Sequence, residues 1–534
     1  MIQPILSLPL EETNLVPPIV KDYLKQHSNL EKYVSSWHNL EGLEEAMAHR
    51  NFSGEKREIL VNGLNQQYVA ANISLEANSA TQVNIASLLS PNTFTITTGH
   101  QLSLFGGTLF MGYKILTAIK LALVCKAKYP EKNFVPILWL ASEDHDFEEI
   151  KGTYLFGKQL DWNIASHGAP TGQIPIQEME SVLEEIAILL GNHPMAENWV
   201  QKIKTAYLGK ENLAQATLHF YHELFQEFGL VVLDANQIAL KKILQPVMRA
   251  DILEQKSYEA QHASDAFLAA HYKLQIHARP INFFYISPGG SRDLIKPNGD
   301  GFKAGESGRT FTHQEMEEEI SIYPERFSPN VNLRPVYQEM ILPNLAYIGG
   351  PAEVGYWLQL KSVFDVYQTP FPLVGVRFMN LMLGGGLKEK VEKFGLQLGD
   401  LLLSESDLVA KYLLSSQALD FHAQTQVILD QVQVLVDQIK NLDAPLGKEF
   451  LETKLGLKDF FKGKSGAVKR ALEQHEAAQI EKLIKLRNRI YPKGVLQERI
   501  ETLMQYEVMM KEPILNELLA QVNPLSGQLN ISAY

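Results

Sequence analysis

The chain has 534 residues, with 49 Lys and Arg against 61 Asp and Glu, a net charge of −12 with histidine neutral. Binding to nucleic-acid phosphates rests on clustered Lys and Arg, so this balance excludes a protein built mainly for that task and leaves room only for a local basic pocket. The single cysteine, Cys125, excludes an internal disulfide framework and any cysteine-rich zinc or iron–sulfur site, and it reads as a buried small hydrophobe.

In chain order, Thr93 to Thr98, Phe134 to Leu140, Leu230 to Asp234, Ile281 to Ser287 and Pro372 to Phe378 are short, nearly continuous apolar or β-branched runs. Strands covered on both faces look like this, because helices pack on each side of a parallel sheet. Helices are predicted between them at Leu109 to Lys128, Ser181 to Leu190, Leu213 to Phe228, Ile238 to Ala270 and Val354 to Val366. The alternation predicts an α/β core with right-handed crossovers to about residue 380.

Beyond residue 380 the composition turns helical. Phe421, Thr425, Ile428, Val432, Leu435, Ile439 and Leu442 follow the a/d spacing of a coiled coil. A second long helix is predicted from about Ala467 to Ile490. Pro445, Gly447, Gly456, Gly463 and Gly466 between them predict a structured tip joining an antiparallel hairpin. Such an arm serves dimerisation or bracing more often than catalysis. No uncharged apolar run reaches the ~18 residues of a membrane span. The first residues lack the basic and apolar regions of a secretory leader, so a cytoplasmic protein with no membrane partner is expected.

Three segments carry candidate chemistry. The first is Glu143-Asp144-His145-Asp146 with Glu148 and Glu149, directly after a predicted strand. It suits either a divalent cation or a histidine general base. An acidic helix start, capped by Ser142 or Asp144 with the other acids favouring the dipole, explains the same residues. The second is Thr98-Gly99-His100-Gln101 with Gly106 and Gly107, at a strand's carboxyl end before a helix carrying Lys114. Either its glycines let backbone N–H groups approach a ligand, or it is an ordinary strand-to-helix turn. It is neither a Walker A motif nor a GxGxxG fingerprint. The third runs from Asn330 through Arg334 to Gly349-Gly350-Pro351, and on to Glu353, Tyr356 and Trp357. Arg334 offers a planar fork for a carboxylate, whereas the aromatic pair reads equally well as core. A glycine-rich segment, Ser287 to Asp293, is a weaker candidate.

Together these segments resemble one family, the cysteine-adding enzymes (cysteine ligases) of bacillithiol biosynthesis. Its pattern TGQQxGLFGGPLYxxxK is matched by TGHQLSLFGGTLFMGYK over Thr98 to Lys114. FWxAxEDHDFxEI is matched from Leu138 to Ile150, and NVxxRPVxQExxLPxxAYIGGPxExxYWxQLKxVF from Asn330 to Phe364. His100 departs from the usual glutamine, giving half of an HxGH nucleotide motif without its first histidine. The resemblance implies a Rossmann-like core related to class I nucleotidyltransferases, with inserted connecting segments, over residues 1–380. It implies a helical coiled-coil domain over 381–534 that supports a homodimer. The implied reaction joins cysteine to the glucosamine amine of glucosaminyl-malate. On that basis His145, held by Asp144 or Asp146, is the expected base, and Glu143 would orient the amine. Lys114, Arg334 and Arg377 would hold malate carboxylates or a phosphate. Carboxylate activation would draw on ATP and, with it, Mg2+. A nucleotide-binding dimeric scaffold without catalysis, or a nucleotidyltransferase acting on another small acid, are the alternatives.

Overall fold

The computed structural model describes residues 2–166, 168–288, 290–305, 308–416 and 420–534. Two compact units divide them, one of residues 1–381 and 498–532, the other of 382–497 and 533–534. The chain leaves the first unit beside the division expected at residue 380. It re-enters that unit for residues 498–532, a stretch that the sequence assigns to the helical domain. The return is anchored physically, because Glu498 is buried against Arg377 and Leu109 N donates to Glu501 O at 2.7 Å.

The first unit is built on five parallel strands: β1 (Thr93–His100), β2 (Asn133–Leu140), β3 (Val231–Asp234), β4 (Asn344–Gly349) and β5 (Leu373–Val376), in the spatial order β5-β4-β1-β2-β3. From β1 the chain builds outward to β3, then returns to lay β4 on the other side of β1. The strand order therefore reverses between β1 and β4, and the crevice outside their carboxyl ends is where open α/β sheets bind ligands.

The helix α1 (Leu109–Lys128) packs its apolar face on this sheet. Ala118, Leu121, Ala122 and Cys125 meet Phe94, Ile96, Phe134, Leu345 and Ile348 in one buried cluster. Cys125 is thus a core residue, as expected, and burial pushes its thiol up to about 12. The polar strand β1 is tolerated in a core because its threonines are satisfied. Thr95 and Thr97 donate to Asn344 Oδ1 at 3.2 and 2.8 Å, and Asn344 donates on to Glu339 at 2.6 Å. At the edge of the sheet, Gln67 donates to Val232 O and accepts from Asp234 N, covering strand groups that would otherwise be open to pairing.

Three sequence expectations are corrected here. The run Ile281 to Ser287 forms the strand Phe283–Ile286, but in a separate five-stranded antiparallel sheet with Arg292–Asn298, Gly301–Ala304, Thr310–Phe311 and Phe327–Pro329. Its continuous apolar run arises because Phe284 is covered by an arginine rather than by a helix. The predicted helix from Ile238 to Ala270 is two helices, α2 (Ile238–Ile252) and Tyr258–Ala269, separated where Gln255 takes a positive φ of 53°. The predicted tip of the helical hairpin is itself helix: Phe421–Leu442 is followed, after Asp443 alone, by Ala444–His475. Pro445 lies in the first turn, where its missing N–H is harmless. Gly447 lets the helices close, since a Cβ there would come within 2.6 Å of Lys440 Cα.

Within this hairpin Thr425, Leu429 and Val436 are buried, whereas Ile428, Leu435 and Leu442 of the expected seam are exposed. Among the described residues no helix is long and apolar enough to cross a membrane.

Candidate active site

At the carboxyl ends of β2 and β3 lies a cavity of about 520 Å3, a size suited to a small metabolite. Trp139, Glu143, Asp144, His145, Arg292, Asn330, Asn332 and Arg334 are among its lining residues. Two of the three sequence segments therefore converge on it, joined by an arginine of the antiparallel sheet.

Glu143 is fixed from below by Lys241, at the start of α2, whose Nζ lies 2.5 Å from Oε1 and also donates to Phe327 O. Lys241 is fully buried, and burial pushes its ammonium down, opposed by the Glu143 charge. Asp144 Oδ2 accepts from Gln101 at 2.7 Å, and the same amide donates to Glu149 Oε2 at 2.9 Å. Gln101 thus ties the end of β1 to the acidic turn after β2. Asp144 Oδ1 accepts from the His145 N–H at 2.9 Å. The turn is backed by Thr171 and Gly172, whose N–H groups donate to Asp144 O and Ser142 O. A Cβ at Gly172 would come within 2.5 Å of Ser142 Cβ, so glycine is required for this close approach.

The acidic helix start is present, but its cap is Asp146 where the sequence suggested Ser142 or Asp144. Asp146 is exposed, accepts from Glu149 N at 3.3 Å, and starts the short helix Phe147–Ile150 rather than lining the cavity. The His145 ring does not lean on either aspartate as expected. Its Nδ1 lies 3.8 Å from Asp144 Oδ1, and its near partner is Arg292 Nη1 at 2.9 Å. Arg334 enters the cavity at the start of α3 (Arg334–Ile341), its guanidinium between the rings of Trp139 and Tyr347, 5.8 and 5.6 Å from their centroids, and beside Tyr356. Its Nη1 also donates to Gln338 Oε1 at 3.3 Å, and the Glu353 charge acts on it from further off; ring faces support an arginine without neutralising it.

The second segment is organised otherwise. Thr98 donates to Ile348 O inside the sheet, and Gly99 packs against Trp139. His100 Nδ1 lies 3.1 Å from Gln101 O, and burial, together with Lys114, pushes its imidazole down to about 4, leaving it neutral at pH 7. Lys114 is fully buried. Its Nζ meets both Glu353 oxygens at 2.9 Å as well as Gly99 O, and Tyr347 OH donates to Glu353 Oε2 at 2.7 Å. The pair spans the point between β1 and β4 where the strand order reverses, just behind Gly349 and Gly350. Arg377, after β5, is closed in the same way by a two-pronged pair with Glu498 that leaves both side chains buried. Lys114 and Arg377 are therefore matched internally instead of presented to a ligand. Gly106 and Gly107 serve packing: both have positive φ, and Cβ atoms there would come within 2.8 Å of Phe220 and 3.0 Å of Ser103. Of the glycine-rich Ser287 to Asp293 segment, Gly289 lies outside the described residues, while Arg292 lines the cavity.

A wider cavity of about 1240 Å3 shares Ser142 and Asn236 with the first. Ser142 Oγ donates to Asp234 Oδ1 at 2.5 Å there, and burial raises the Asp234 carboxyl above its ordinary value. Lys241 and Asp234 left no mark in the sequence as site residues, because their partners stand far along the chain.

Fold and site together define a Rossmann-like α/β protein with an arginine-bearing cavity at its strand ends and an added domain of long helices. Comparison with known proteins makes the assignment specific. The family model described as "Bacillithiol biosynthesis BshC, N-terminal Rossmann-like domain" matches residues 4–378, and "Bacillithiol biosynthesis BshC, C-terminal coiled-coil domain" matches residues 381–533. The chain is 35% identical over 522 residues to a Flavobacterium johnsoniae protein named "Putative cysteine ligase BshC", covering 96% of both chains. It is 33% identical over 536 residues to the Christiangramia forsetii protein of the same name, covering 98% of both. A similarly named Bacillus cereus protein shares 25% identity over 509 residues, 91% of this chain and 93% of that one. The chain belongs to the BshC family of bacillithiol biosynthesis.

Proposed function

We propose that the protein is a ligase that joins the carboxyl group of L-cysteine to the glucosamine amine of glucosaminyl-malate, the closing step of bacillithiol synthesis. The observation that carries this reading is the placement of Arg292 and Arg334 in one cavity with Glu143 and Asp144. A malyl group offers two carboxylates to the arginines, and an amine offers N–H donors to the acids. The relatives' printed name supplies cysteine as the second substrate.

For the bond to form, the amine must first lose its ammonium proton. Its lone pair then attacks the activated carboxyl carbon of cysteine, the leaving group departs with the C–O electron pair, and the nitrogen gives up its second proton to the leaving group or to solvent. Glu143, anchored at Oε1 by Lys241, is the proposed proton acceptor through its other oxygen. ATP with Mg2+ is the proposed activating pair. Lys114 and Arg377 do not fit its phosphates, because Glu353 and Glu498 already match them. Among the described residues no three His, Cys, Asp or Glu side chains come together as a ready metal site. No activation step is therefore assigned through these groups. The reading includes a cytoplasmic location and a homodimer formed through the helical hairpin, supported by the exposed Ile428, Leu435 and Leu442.

The test is mass-spectrometric analysis of purified protein incubated with glucosaminyl-malate, cysteine and Mg-ATP. A product heavier than glucosaminyl-malate by one cysteinyl residue is expected. Its absence, with both substrates intact, would overturn the ligase reading.

A further inference from the structure

We propose that Arg292 is a positioning residue that fixes His145 as a hydrogen-bond donor, presenting Nε2–H to an anionic oxygen of the bound substrate. The identity of that substrate rests on the ligase reading; the state of the imidazole does not.

A guanidinium carries N–H donors, has no acceptor and keeps its proton in proteins. Arg292 Nη1 stands 2.9 Å from His145 Nδ1, so that nitrogen must offer its lone pair. A neutral imidazole has one N–H, which is then on Nε2. The familiar alternative, a carboxylate accepting from Nδ1–H, is not built here: Asp144 Oδ1 is 3.8 Å from Nδ1 and already accepts from the His145 main chain.

The arginine is itself immobilised. Its Nε donates to Ser328 Oγ at 3.0 Å, its guanidinium carbon lies 3.8 Å from the Phe284 ring centroid, and its side chain is only 7% exposed. Phe284 and Arg292 sit on neighbouring strands whose register is set by the pairs Phe284↔Leu294 and Ile286↔Arg292. The antiparallel sheet thus delivers a rigid donor to a turn of the parallel sheet. His145 leans on the same Phe284, ring centroids 5.8 Å apart, with its side chain 42% exposed. Nε2 is the nitrogen left for a ligand. A donor there cannot take the amine proton, which is why that task falls to Glu143.

The experiment uses the full chain labelled with 15N-histidine and long-range proton–nitrogen correlation spectra, with His145 assigned by its absence from the spectrum of His145→Gln. The expected result is an unprotonated Nδ1 and a protonated Nε2, with the Nε2 resonance moving when L-malate is added. In Arg292→Met the two nitrogens should shift toward the averaged values of a mixed tautomer. A protonated Nδ1 in the parent protein, no response to L-malate, or unchanged His145 resonances in a folded Arg292→Met protein would each overturn the proposal. Turnover gives an independent reading. The amide of His145→Gln can still donate, so turnover should fall by less than about tenfold, whereas loss of a general base costs about 10²–10⁴-fold. A loss of a hundredfold or more therefore contradicts the donor role. If the tautomer is as expected but no cysteinyl product forms, the ligase reading fails alone.

Discussion

Replacing Glu353 by glutamine is the most direct test of whether Lys114 belongs to the framework or to the ligand. The ammonium of Lys114 is fully buried and its charge is answered by the two Glu353 oxygens at 2.9 Å, the remaining contact being the neutral Gly99 carbonyl. Glu353→Gln keeps the shape, removes the countercharge and leaves a buried cation. Breaking a buried pair in this way costs about 3–5 kcal/mol, and the lower end applies because the Glu353 side chain is 26% exposed. At about 2 cal mol⁻¹ K⁻¹ of unfolding entropy per residue and roughly 400 residues, a loss of ~3 kcal/mol lowers the melting midpoint of the larger unit by about 3–4 °C. Differential scanning calorimetry of the full chain reads this directly. Lys114→Met combined with Glu353→Gln should recover most of the loss, because no unpaired charge is left inside. If Glu353→Gln melts with the parent while the KM for a substrate rises tenfold or more, the pair is part of ligand binding and the reasoning is wrong.

The remaining predictions address charge, pH, the core and assembly. Arg334→Ala should raise the KM for glucosaminyl-malate by about 10- to 100-fold while changing kcat less, since it removes charge-assisted hydrogen bonds made in the ground state as well as the transition state; steady-state kinetics with a normal KM would contradict it. The His100 imidazole is pushed down from 6.5 to about 4 chiefly by burial. Between these values the unfolded chain binds more protons, so its contribution to stability is complete above pH 6.5 and is lost as pH falls toward 4. His100→Gln should flatten the dependence of the melting midpoint on pH across that window, and an unchanged slope would refute the assignment. Leu121→Ala, within the cluster beneath α1, should destabilise the larger unit by about 2–5 kcal/mol in denaturant titration. Ile428→Asp with Leu435→Asp should turn a dimer into a monomer in light scattering with helicity unchanged; a monomeric parent protein would remove the hairpin as an interface.

The parallel core was legible because its strands have no exposed face, so apolar runs at Phe134 and Leu230 could be little else. The strand at Phe283 broke the same rule, since its cover is the guanidinium of Arg292, a contact that no local pattern encodes. The hairpin was misread at its tip because glycine is a weak helix former, with a cost of about 1 kcal/mol relative to alanine that tertiary packing readily offsets. At Gly447 the missing Cβ is what lets the second helix start against Lys440.

The site divides along a different line. Sequence motifs named Lys114, Arg334 and Arg377 but could not say which cation was already matched, because each partner lies far along the chain. Lys114 with Glu353, Arg377 with Glu498, Lys241 with Glu143 and Arg50 with Glu339 each set a buried cation against a carboxylate in direct contact, which offsets its charge. Arg334 is held by aromatic rings and by the amide oxygen of Gln338. Arg292 is held by a ring, a hydroxyl and an imidazole, with Asp144 standing off at 3.6 Å and already accepting from Gln101. These supports fix each guanidinium mainly through neutral groups, while the carboxylates of Asp144 and Glu143 near Arg292, and of Glu353 near Arg334, act on it from further off. In a chain of net charge −12, the anion binding proposed for this cavity depends on how its arginines are supported more than on how many cations surround it.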